Sequence, residues 1–105
     1  MTLSPKRPSP VRRSRYLLRL YVNRSTLKSK VAVENIQRVC EQHLKGRYVL
    51  EVIDIHQHAA LARHEQIVAV PTLIKRLPLP LRRLVGDMSD LTNVLFGLDL
   101  KAKES

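Results

Sequence analysis

Residues 68–100, VAVPTLIKRLPLPLRRLVGDMSDLTNVLFGLDL, decide how this chain folds, because two secondary structures compete for the same leucines. In one reading Thr72 to Arg76 and Leu81 to Val85 are short strands. Ser89 to Leu98 is then a helix with Met88, Leu91, Val94, Leu95 and Leu98 on one face. In the other reading the last segment is itself a strand, since Phe96, Leu98 and Leu100 alternate with Leu95, Gly97 and Asp99. Gly97 and Asp99 weaken the helix, glycine by about 1 kcal/mol relative to alanine. Changes that raise helix propensity at these two positions are expected to favour the helix-ending arrangement.

Upstream the signals agree with one another. Arg15 to Val22 alternates, with Tyr16, Leu18, Leu20 and Val22 on one side and Leu17 and Tyr21 on the other, so both faces are apolar and a central strand is expected. From Leu27 or Ser29 to Leu44 the residues Ala32, Ile36, Val39, Cys40 and Leu44 recur at helical spacing, and Lys45-Gly46 closes the helix. Arg47 to Ile55 reads as a second strand, parallel to the first across the intervening helix. Gln57 to Val68 is read as a shorter helix with Ala60, Leu61, His64 and Ile67 or Val68 on a face. The beginning is therefore βαβα.

Composition limits what such a chain can do. Its 105 residues, 44% hydrophobic and only 4% aromatic, suit one small domain with an aliphatic core. So little area favours burial by self-association. Apolar runs are too short to span a bilayer and the start lacks a secretory core, so a cytoplasmic, non-membrane protein is expected. The single cysteine, Cys40, reads as a core residue. A net charge of +10 asks for an acidic partner. Residues 1–14 hold Lys6, Arg7, Arg12 and Arg13 among Pro5, Pro8 and Pro10, and read as a disordered basic arm before a domain at 15–101 and a tail at 102–105. A basic nucleic-acid-binding module is the alternative reading, disfavoured because no aromatic platform or groove-reading helix accompanies the arm.

No catalytic constellation emerges. His56, His58 and His64 with Glu65 lack the further ligand pair of a closed metal site, and Gly46, Gly86 and Gly97 cannot build a phosphate loop, so neither metal nor cofactor is expected. Asp87 and Asp90 fit a turn and a helix start. Val70-Pro71-Thr72-Leu73 after βαβα resembles the strand entry of the thioredoxin fold. Thioredoxin chemistry needs thiols in the loop after the first strand, and that loop, Asn23 to Lys28, has none. The scaffold is expected without its enzyme.

Leu20-Tyr21-Val22, Val52-Ile53-Asp54, Pro71-Thr72-Leu73, Leu77-Pro78 with Pro80, Arg82-Arg83, Gly86-Asp87 with Ser89-Asp90, and Gly97-Leu98-Asp99-Leu100 together resemble the KaiB family, the adaptors of the cyanobacterial circadian oscillator. The resemblance covers about residues 16–100. It implies an α/β, thioredoxin-like protein of KaiB type, non-enzymatic, with a ground-state βαββααβ order in an oligomer, usually a tetramer, and an alternative βαβαββα monomer. The monomer would bind the ATPase ring of a KaiC-like partner and meet other clock proteins. Pro71, Pro78, Pro80, Gly97 and Asp99 fall in the switching region. Val49, Glu51, the helix around Gln66, and Lys75 are the implied partner contacts. Cyanobacterial members carry a lysine where this chain has Glu51 and another near Gln66, which implies a divergent member with a different KaiC-like partner.

Overall fold

A computed structural model describes residues 15–100, so the expected arm at 1–14 and tail at 102–105 lie outside the described residues. The elements are β1 (Tyr16–Val22), α1 (Leu27–His43), β2 (Tyr48–Asp54), α2 (Ala59–His64), β3 (Thr72–Leu77), β4 (Arg82–Val85) and α3 (Leu91–Gly97). They follow the βαβαββα order; the βαββααβ order is not the one this structure adopts.

The sheet runs β2-β1-β3-β4, with β1 and β2 parallel and β3 antiparallel to both its neighbours. The apolar pattern of β1 requires this central place. Tyr16, Leu18, Leu20 and Val22 join Ala32, Ile36, Val39, Cys40 and Leu44 of the α1 segment in the main core, which Leu73, Met88, Val94 and Leu98 complete. Tyr21 points to the opposite face, against Ile53, Ala62 and Ile74. Each buried aliphatic side chain contributes about 1.5–3 kcal/mol, so the main core supplies most of the stability. Thr26 caps α1 by accepting from the Ser29 amide, and Gly46 takes a left-handed turn into β2.

Two local expectations are corrected. The second helix stops at His64, well short of Val68. Gln66 there takes φ 57, its amide donates to the Arg63 carbonyl, and the Ile67 amide donates to that of Ala62. This is a Schellman ending, and it folds Ile67 back toward Tyr21, Ile53 and Ile74. Leu91 is also half exposed instead of sharing the buried face of Met88, Val94 and Leu98. It is the first residue of α3, before the helix has turned onto the sheet.

The competition over the last segment resolves to a helix. The Asp90 carboxylate accepts from the Asn93 amide at the start of α3. At the other end Asp99 takes φ 59, its amide donates to the Phe96 carbonyl, and the Leu100 amide donates to that of Leu95. Asp99 therefore lies beyond the helix, and helix propensity does not govern it. The alternation has another use here: Leu98 and Leu100 both pack on the core, while Asp99 between them turns to Lys75.

Candidate functional site

The two sides of the sheet are covered unequally. α1 and α3 close one side, whereas the six-residue α2 and the connection to β3 cover only part of the other. Beyond their reach Val49 is 49% exposed and Leu77 is 48% exposed, with Leu17 between them in register. The uncovered half of this side is the candidate interaction face.

A row of charges crosses the middle of it. Arg19 Nε donates to the Glu51 carboxylate at 2.9 Å, directly across the parallel pair. The same guanidinium lies 3.3 Å from Glu65 at the end of α2, and Arg76 of β3 pairs with Glu65 as well. The Tyr21 hydroxyl donates to Glu65 too, and Arg83 donates to its backbone carbonyl. Glu65 thus clips the α2 connection to β1, β3 and β4. Burial pushes the Glu65 carboxyl upward, but the Tyr21 hydroxyl and the Arg19 and Arg76 cations outweigh it and hold it below the usual range.

Three of the four implied contact residues share this face. Val49 and Glu51 project from β2 beside Leu17 and Arg19, and exposed Gln66 follows Glu65, in the turn after α2 instead of on a helix. Lys75 does not join them. It sits opposite Leu18 on the other side of the sheet, is 1% exposed, and pairs with Asp99, so its expected place at the surface is corrected. Arg82 holds the same carboxylate at 3.1 Å. Burial raises the Asp99 carboxyl, and Arg82 with Lys75 reverses this and leaves it lowered.

The remaining switching positions are distributed along the second half. Pro71, Pro78 and Pro80 each follow a cis peptide bond, Pro71 before β3 and the others between β3 and β4. Gly97 is the last residue of α3, and a Cβ there would lie 2.5 Å from a methyl of Leu84. Sequence reasoning missed Arg19, Glu65 and Arg76. One pattern held a trace of the first pairing: Arg15-Tyr16 and Arg47-Tyr48 open both parallel strands, and aligning them sets Arg19 beside Glu51.

Chemistry at this scaffold is limited by its one thiol. Cys40 is fully buried in α1, where burial, with a smaller push from Glu41, raises it to about 12. It stays protonated at neutral pH and is no nucleophile. Among the described residues no three His, Cys, Asp or Glu side chains are grouped to hold a metal ion, and no helix is long and apolar enough to cross a membrane.

Comparison with known proteins agrees with the topology. The KaiB domain model matches residues 19–100. Circadian clock protein KaiB3 of Synechocystis is 44% identical over 87 residues, 83% of this chain and 85% of that protein. Circadian clock oscillator protein KaiB of Synechococcus elongatus is 46% identical over 88 residues, 84% of this chain and 86% of that one. Among solved structures, the N-terminal domain of Synechococcus elongatus SasA superposes with TM-score 0.69 at 21% identity, covering 100% of this chain and 98% of that domain. Mitochondrial thioredoxin 3 of Saccharomyces cerevisiae gives 0.67 at 12% identity over 86% and 82% of the two chains. These structural likenesses establish a thioredoxin-like fold, and with the matched domain and the identity to clock proteins over most of its length, the chain belongs to the KaiB family.

Proposed function

We propose that this chain is a clock adaptor of KaiB type, which acts in the cytoplasm by binding and not by catalysis, and whose partner is a KaiC-like ATPase. The family match over residues 19–100 carries the reading. The half-covered sheet face supports it, since Val49 and Glu51 stand there beside the Gln66 turn and offer a partner an apolar side chain flanked by fixed charges. A thioredoxin-like frame without a thiol after β1, and with its one cysteine buried and protonated, supports a non-enzymatic role.

In this reading Glu51 tunes which partner is accepted. Arg19 neutralises it and orients it, so the surface presents a balanced pair where an isolated charge would steer encounter. Exchange with a second, self-associated βαββααβ arrangement belongs to the same proposal, and requires the two packings to differ by only a few kcal/mol. Size-exclusion chromatography of the protein with its cognate KaiC-like ATPase and nucleotide tests the partnership. A co-eluting complex that Val49→Asp abolishes is expected; persistent absence of a complex overturns the reading.

A further inference from the structure

A cleft of about 500 Å³ opens where β1 begins and the chain leaves α3. Its walls are Tyr16, Pro78, Leu79, Pro80 and Leu100, and Lys75 and Asp99 lie at its base. That volume is within the range of small-molecule sites, which combine apolar walls with a few convergent polar groups.

The base is electrostatically incomplete. Among the described residues Asp99 is the one hydrogen-bond partner of the buried Lys75 ammonium. An ammonium carries three donors, and leaving buried donors unmade is costly. Asp99 cannot be devoted to Lys75, because Arg82 holds it through both carboxylate oxygens, at 3.3 and 3.1 Å. The Lys75 ammonium in the lining therefore shares its one carboxylate with Arg82. The Tyr16 hydroxyl is already committed to the Leu98 carbonyl at 2.9 Å, so Tyr16 offers the cleft mainly its ring.

We propose that this cleft binds a small organic oxyanion, a carboxylate or phosphate monoester with an apolar body, whose oxygens take the open donors of Lys75 while the body lies against Pro78, Leu79 and Pro80. The site is distinct from the partner face, on the opposite side of the sheet from Val49 and Glu51. Occupancy also has a structural consequence. Lys75 and Asp99 join β3 to the residue just past α3, so a ligand there stabilises this arrangement of the second half by mass action.

Titration of the ¹⁵N-labelled full chain with 3-phenylpropionate, phenyl phosphate and uncharged 3-phenylpropanol tests the site by NMR. Saturable shifts at the amides of Tyr16, Leu79, Asp99 and Leu100 are expected with at least one anion, at least about tenfold tighter than with the alcohol. The better anion identifies the headgroup. Lys75→Met should remove the response while the spectrum stays dispersed. Should that variant not fold, Leu79→Glu on the 74% exposed wall should weaken anion binding about tenfold by repulsion. No saturable shift with either anion up to about 10 mM, equal binding of the alcohol, or undiminished binding in a folded variant overturns the proposal.

Discussion

The first half of the domain, β1 through β2, and the second, β3 through α3, share one apolar core but differ in how far ion pairs tie them to it. In the first, a 17-residue helix lays Ala32, Ile36, Val39 and Cys40 on a strand whose inward side chains are Tyr16, Leu18, Leu20 and Val22. In the second, a four-residue strand and a seven-residue helix are tied down by Lys75, Arg82 and Asp99, while Glu65 with Arg76 and Arg83 holds the approach to β3. Apolar burial is non-directional and tolerates small adjustments. A buried ion pair depends on both partners being in place and adds little net stability over an apolar alternative. The second half is consequently the part whose arrangement a single charge can rebalance, and the first is its platform.

Breaking the platform should have the largest effect. Leu20 is fully buried, and Leu20→Ala should cost about 3 kcal/mol and lower the urea midpoint of the whole domain in one cooperative step. Asp99→Asn keeps a residue suited to the left-handed position but removes the counter-charge of Lys75. A loss of about 2 kcal/mol is expected, below that of a fully enclosed pair because Asp99 is 35% exposed. Backbone amides of β4 and α3 should lose hydrogen-exchange protection while those of β1 and β2 keep it.

Acid should act on the same ties more gently. The carboxyls of Glu65 and Asp99 are lowered in the folded protein, so the unfolded chain takes up protons first as pH falls. Their contribution is complete at neutral pH and is lost from about pH 4 downward, through the lowered folded values. Urea midpoints measured against pH should show this decline, and Glu65→Gln should flatten part of it; an unchanged slope would count against the clip. Gly97→Ala should change stability least. A helix gain of about 1 kcal/mol is opposed by displacement of the Leu84 methyls, so calorimetry should find a net change within about 1 kcal/mol.

Legibility from sequence divides at the same boundary. The order of elements and the central place of β1 could be read because apolar spacing in residues 15–55 admits one interpretation. Lys75 was misplaced because lysine is almost never fully buried unless paired, and its partner lies 24 residues away. Its parity with Leu73, a core residue, was the available clue. Gln66 was misjudged as a helix position and Asp99 was weighed by helix propensity, whereas both occupy the left-handed residue of a helix ending, which is usually glycine. Of the candidate face, Val49 and Glu51 could be placed through the resemblance, but the clip at Glu65 draws on β1, β3 and β4 and leaves no local pattern.

Native-state hydrogen exchange across the full chain tests this account of the two halves most directly. It predicts that amides of β3, β4 and α3 exchange through a partial opening of lower free energy than the global unfolding reported by β1, α1 and β2. A single opening free energy shared by both halves would contradict it.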